Sequence, residues 1–391
     1  MKIGIITFHF ACNCGAVLQC LALSEVLKQL GQEVEVINYR PEYHANRYRA
    51  LKNPFINGKK VADNYKNSGI LMYSLKYCKG FAGAIKSWRY YATNKEISNR
   101  FNRFVKENLH ETGIYKEINK LREQPPVCDI YICGSDQIWN TALTNGRIDP
   151  AYLLDFGETS TRKISYSAGV NLSVNTGLSN EDKMLLSKFQ AISLREHHYY
   201  LLFKEILKSD IEVHIDLDPS LLLSGYSYEK FMCKNQLETE EYILVYTMND
   251  TSQDTVNEAA LELSRKKKIR IIDISNDAKK IVADAVKNRI CGPSEFLWYI
   301  KNARFIVTNS FHSTAFALIF NKNFVAVPHS QTGYRITELL DKLELSAQYT
   351  NSVSEVVDCF DNTIDFECVA PALQHLHNES LDYLKRQLSL S

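Results

Sequence analysis

The stretch FIVTNSFHSTAFALIF, residues 305–320, decides the fold. Its first five residues read as a short buried strand. Polar residues then gather around His312, and an apolar helix resumes at Ala315. A strand that breaks into serine, threonine and histidine and restarts as a helix sets its polar residues at the carboxyl end of a sheet. Open α/β sheets bind ligands in the crevice there. The helix N-terminus adds unsatisfied N–H groups and a partial positive charge, which favour an anion. His312 is the first candidate catalytic residue, with Ser310, Ser313 and Thr314 beside it as substrate contacts. The plainer reading is a capping, packed histidine.

Around this segment lies a second α/β unit. Residues 242–248 (YILVYTM) open it as a strand, 255–267 follow as a helix and 269–274 as the next strand. Residues 293–302 form the helix before the pivotal strand. Residues 323–327 form a further strand ending in Pro328 and His329. Arg335 precedes a helix at 337–343.

The amino-terminal half repeats this logic. Residues 2–7 are a β-branched strand, HFACNCG (9–15) a loop, 16–30 an apolar-striped helix and 33–39 a second strand. This is the opening of a doubly wound fold. One glycine in the loop argues against a dinucleotide fingerprint. His9, Asn13 and Gly15 sit in that loop. Strand 129–133 runs into Gly134-Ser135-Asp136-Gln137-Ile138-Trp139-Asn140. That places Ser135, Asp136, Gln137 and Asn140 at a sheet edge suited to sugar hydroxyls; a turn or helix cap is the alternative. Strands are also expected at 163–167, 191–194 and 214–217. The third of these is followed by the turn signal Asp218-Pro219-Ser220. Arg195 and Glu196 follow the strand at 191–194. The guanidinium is a fork for carboxylate or phosphate, or an ion-pair partner of Glu196.

The expected domains are residues 1–230, with a helical insertion at about 41–122, then 236–350, then a tail 351–391 whose helix (380–388) packs back on the first domain. Helices are expected in the insertion at 70–91 and 95–108. Its basic and aromatic mix could touch a polyanion or the inner membrane surface, but a solvated helical face is the favoured reading.

At 391 residues, two domains are the prior. The charge balance, 46 basic against 45 acidic residues, gives no support for nucleic-acid binding. No stretch reaches the roughly 18 apolar residues of a membrane span, and the start is too short and strand-like for a signal peptide, so a cytoplasmic protein is expected. The ten cysteines lack metal-type pairing, and neither metal nor cofactor is expected.

The chain resembles the polysaccharide pyruvyl transferase family. The matching pieces are GIITFHFACNCGAVLQCLAL, ICGSDQIWN, KISYSAG, SLRE, DPSLLL, FLWYIKNARFIVTNSFHSTAF and YRITELLDKL, in order from the start to about residue 345. The resemblance implies two Rossmann-like domains facing a cleft, as in GT-B glycosyltransferases. It implies phosphoenolpyruvate as donor and a hydroxyl pair on a sugar or lipid-linked oligosaccharide as acceptor. Arg195 matches the family arginine implied to hold the donor, and His312 the family histidine. Asp136 is the expected acid or base toward the acceptor, and Arg335 a second anion contact. The chain departs from the family where Ser310 stands in place of an arginine seen in some members, and where Ser313 replaces a common glycine. A nucleotide-sugar glycosyltransferase is the rival reading. Acceptor identity and oligomeric state are not legible.

Overall fold

The computed structural model describes residues 1–389 except 46–52, 64, 67, 88–90, 173–176, 208–210, 277–281, 283–284, 288–289 and 331–332. Its strands in chain order are β1 (Lys2–Ile6), β2 (Glu33–Val36), β3 (Ile130–Cys133), β4 (Trp139–Asn140), β5 (Arg162–Ser165), β6 (Val170–Asn171), β7 (Ala191–Leu194) and β8 (Glu212–Ile215). The second half adds β9 (Tyr242–Tyr246), β10 (Arg270–Asp273), β11 (Val286–Lys287), β12 (Phe305–Thr308) and β13 (Phe324–Ala326).

These strands build two parallel sheets, ordered β2-β1-β3-β5-β7-β8 and β11-β10-β9-β12-β13, plus a small β4–β6 pair. The inner strands β3, β9 and β12 read as continuous apolar runs because helices cover both faces of a parallel sheet. Ile3, Ile5, Ile130, Ile132 and Ile164 are fully buried in the first sheet, and Ile243, Leu244, Ile306 and Val307 in the second. The helix Cys14–Gln29 is buried along nearly its whole length. It packs against the first sheet on one side and against Pro293–Asn302 and Phe311–Ile319 of the second domain on the other.

Three elements differ from expectation in ways that matter. The helix after β12 begins at Phe311, so His312 lies in its first turn rather than in the preceding linker. Ser310 caps it, and capping lets a helix start among polar residues that the apolar pattern alone passes over. Likewise Tyr334–Lys342 is helical, which puts Arg335 inside a first turn. The last helix, Phe366–Gln387, is far longer than 380–388. It returns to the first sheet: Tyr383 Oη donates to the Ser165 carbonyl (3.0 Å) and Arg162 Nη1 to the Gln387 carbonyl (2.7 Å).

The insertion contains helices Pro54–Asp63, Ile70–Ser87 and Tyr91–Asn108. The expected helix 70–91 runs partly into 88–90, outside the described residues. Tyr91–Asn108 buries Ile97, Phe101, Phe104 and Val105 and also reaches the second domain, where Arg100 Nη1 pairs with Glu295 Oε1 at 2.5 Å. No helix among the described residues is long and apolar enough to cross a membrane.

Candidate active site

In each sheet the strand order reverses once, between β1 and β3 and between β9 and β12. Loops leaving neighbouring strands diverge at such a switch point and open a crevice at the carboxyl edge. The two crevices face each other. A cleft of about 340 Å³ lies between them, lined by Asn13 after β1, Asp136 and Gln137 after β3, Met248 and Asn249 after β9, and the segment from Asn309 to His312 after β12.

At its centre two helix N-termini meet. Asn13 caps the helix Cys14–Gln29, its Oδ1 accepting from the Ala16 N–H at 3.2 Å. Ser310 caps Phe311–Ile319, its Oγ accepting from the Ser313 N–H at 3.4 Å. Gly15, in the first turn of one helix, abuts the imidazole of His312, in the first turn of the other. A Cβ on residue 15 would overlap that ring. Glycine is required here for close approach. Both helix ends add positive potential at the same place.

Below His312 lies Asp218, fully buried. Its Oδ2 is 3.5 Å from His312 Nε2, an ion-pair approach at the outer limit of hydrogen bonding; Nε2 has no closer partner among the described residues. The same oxygen accepts from Arg195 Nη1 at 3.1 Å, and its other oxygen binds the Ser220 hydroxyl and the Ser220 N–H. Burial pushes this carboxyl up. The charges of His312 and Arg195 and the Ser220 contact outweigh it and hold Asp218 well below the usual carboxylate range.

Arg195 is thereby committed. Its Nε donates to Glu196 Oε1 at 2.9 Å, and its side chain is almost wholly buried beneath the cleft. Burial lowers its proton affinity, but Glu196 and Asp218 raise it further, so it stays a cation. The open anion fork expected from the sequence is a two-carboxylate ion pair, because a buried guanidinium needs partners. Nη2 alone has no hydrogen-bond partner among the described residues. Glu196 also accepts from the Val170 N–H at 3.2 Å, a supporting place rather than a cleft-facing one. Ser135 is similarly buried and bonds the Ser167 carbonyl at 2.7 Å. His9, expected at the cleft, is fully buried with Nε2 at 2.9 Å from Glu111.

Other expected residues do line the cleft. Asp136 takes a left-handed conformation (φ 61°), which aspartate tolerates better than most residues. Its carbonyl accepts from the Gly169 N–H at 2.8 Å and its Oδ1 from the Gln137 N–H at 2.8 Å. Gln137 Oε1 accepts from Asn140 Nδ2 at 2.8 Å, while its buried Nε2 has no partner among the described residues. The Ser313 hydroxyl is also buried without one, whereas Thr314 bonds back to the Ser310 carbonyl at 3.1 Å. Arg335 borders the cleft half-buried. Its guanidinium lies 5.7 Å from the Phe311 ring centre, with Arg195 5.4 Å from the same ring. Burial and the Arg195 charge lower its proton affinity, yet a guanidinium remains charged.

A sequence-family model for polysaccharide pyruvyl transferase matches residues 13–331. The chain belongs to that family. It is therefore an enzyme of a transferase family, and its fold is the GT-B arrangement. UDP-GlcNAc 2-epimerase from Neisseria meningitidis, bound to UDP-GlcNAc, is similar at 11% identity and TM-score 0.52, over 100% of both chains. A UDP complex of MnaA from S. aureus is similar at 11% identity and TM-score 0.50, over 100% of this chain and 97% of that one. At such identities the likeness is one of fold. No curated protein sequence matches significantly.

Sequence reasoning passed over two residues, one beneath the cleft and one lining it. Asp218 shows in the sequence as the start of the turn Asp218-Pro219-Ser220 and of the family-like piece DPSLLL, and nothing local shows that the turn ends beneath His312. His329 ends the segment after β13, the same strand-then-polar signal that singled out His312. It lines the cleft, with Nδ1 4.0 Å from Asp250 Oδ1. Burial, opposed by Asp250 and aided by Arg335, lowers its proton affinity. Among the described residues no group of three or more His, Cys, Asp or Glu is placed to hold a metal ion.

Proposed function

We propose that this enzyme moves the pyruvyl unit of phosphoenolpyruvate onto two hydroxyls of a sugar in a surface polysaccharide or its lipid-linked precursor. The products are a pyruvate ketal and phosphate. The observation that carries the reading is the meeting of two helix N-termini at the Gly15–His312 contact, with Arg335 on the rim. Phosphoenolpyruvate has a phosphate and a carboxylate on the same carbon, and two helix ends plus a guanidinium suit such a pair of anionic groups.

The chemistry then assigns itself to residues. Protonation at C3 of the enol develops oxocarbenium character at C2, and His312, at the floor of the cradle, is the acid. Asp218 orients that imidazole, and Arg195 keeps Asp218 ionised. One sugar hydroxyl adds to C2 and the C2–O bond to phosphate breaks. The second hydroxyl closes the ketal. Two hydroxyl protons are lost in all; C3 gains one proton and the buffer or phosphate takes the balance. Asp136 and His329 face the same cleft as candidate bases, His329 because its lowered proton affinity favours the neutral imidazole. A positioned acid or base contributes roughly 10²–10⁴-fold. Asn13, Gln137 and Asn140 offer amides to sugar hydroxyls.

A thermal shift tests the donor. Phosphoenolpyruvate at about 100 times its dissociation constant stabilises by ~2.7 kcal/mol. The shift should shrink in Arg335→Ala, a rim variant that leaves the buried Arg195 pair intact. A shift with UDP or UDP-sugars and none with phosphoenolpyruvate would favour the nucleotide-sugar reading.

A further inference from the structure

The insertion ends in a hairpin of two helices whose outer face is apolar. Ile70–Ser87 packs one side on Pro54–Asp63: Asn57 Nδ2 donates to the Gly80 carbonyl at 2.6 Å, and the Phe55 and Phe81 rings lie 5.3 Å apart. On its other side, Leu71, Leu75, Cys78, Ala82 and Ile85 follow one another at helical spacing and are all exposed. At 100° per residue they fall within roughly an 80° arc. Leu71 is 75% exposed and Leu75 58%; Ile70, which starts the helix, is 89% exposed, and Phe55, at the far end of the pair, is 66% exposed. A soluble helix does not normally present such a stripe to water.

The charge of this segment is one-sided. Residues 54–87 contain six lysines, Lys59, Lys60, Lys66, Lys76, Lys79 and Lys86, against the single acid Asp63. The chain as a whole is nearly neutral, so this excess is local. Apolar residues on a segment this rich in lysine complement an interface in which acyl chains lie below anionic headgroups. A second copy of the hairpin would instead bring like charges together. The lysines also agree with a helix that lies in the interface, since no described helix can cross a bilayer.

We propose that the helix pair Pro54–Asp63 and Ile70–Ser87 docks this enzyme on a bilayer surface carrying anionic lipid, with the stripe from Leu71 to Ile85 entering the headgroup layer. The docking is independent of the reaction assigned above. On that reading it has one consequence: the helix that follows, Tyr91–Asn108, touches the cleft loop where Ser98 Oγ lies 3.8 Å from Cys12 Sγ. A docked hairpin then holds the cleft near a lipid-linked acceptor.

The test is co-sedimentation of the full-length protein, without substrate, with phosphatidylcholine vesicles and with vesicles holding about 30% phosphatidylglycerol. Binding is expected with the anionic vesicles only, weakened several-fold when salt rises from about 0.1 M to about 0.5 M. Leu71→Glu with Leu75→Glu should lower apparent vesicle affinity at least ~tenfold while the melting temperature stays unchanged, since both side chains already face water. Absence of binding to anionic vesicles overturns the proposal, as does equal binding by the double variant. A dimer that the double variant abolishes, with no vesicle binding, gives the face to a second copy and overturns it too.

Discussion

Gly15 lies against the imidazole of His312 so closely that a single methyl group on Gly15 would occupy the space of the ring. These residues are almost 300 positions apart, on helices of different domains. The contact joins the two halves at the point where chemistry is assigned. Gly15→Ala should therefore displace the imidazole or part the domains, at a stability cost of about 1–3 kcal/mol for overpacking. Turnover should fall by more than stability does. Melting temperature and phosphate release, measured on the same preparation, check this; full turnover in Gly15→Ala contradicts the cradle.

His312→Gln keeps the size and polarity of the site and removes its proton transfer. Donor binding should stay within roughly tenfold while turnover falls by about 10² or more. A variant working within a few-fold of wild type leaves His312 only a packing role, and His329 becomes the next acid–base candidate in the cleft.

Asp218→Asn tests the support beneath the site. It leaves the buried Arg195 with one carboxylate partner, and breaking a buried pair costs about 3–5 kcal/mol. Denaturant midpoints should show the loss. The sign with pH follows from the depressed folded value: the carboxylate's contribution is present above about pH 4, its unfolded value, and disappears as pH falls toward the folded one. Asp218→Asn should flatten that acid limb. An unchanged midpoint and acid limb would mean that Asp218 does not organise the site.

A second pH effect has the opposite sign. His214 Nδ1 lies 2.9 Å from Asp216, whose hydrogen bond raises the histidine's proton affinity against the cost of burial. A raised base stabilises fully below its unfolded value, near pH 6.5, and the stabilisation fades as pH rises through the higher folded value. Melting temperature should decline over that range in wild type, and the decline should be shallower in His214→Gln. Parallel curves would count against it.

The order of β1, its loop and helix was legible because apolar runs and helical stripes are local signals. So were β7, which matches residues 191–194 residue for residue, and the helix Pro293–Asn302. Asn13, Asp136, His312 and Arg335 all border one cleft, since strand ends in a parallel sheet point the same way. What stayed hidden was pairing over distance. Nothing near Arg195 tells that Asp218 neutralises it, and nothing near His9 points to Glu111. The helix starts at Phe311 and Tyr334 were missed because capping and tertiary packing, not periodicity, set them.

The most direct measurement is phosphate release from phosphoenolpyruvate by the wild-type enzyme, with and without a panel of nitrophenyl or lipid-linked glycosides. The account predicts phosphate release that depends on one class of glycoside, equimolar with a ketal-bearing sugar product, and lost in His312→Gln. No phosphate with any acceptor, together with consumption of a nucleotide sugar by the same preparation, would contradict it.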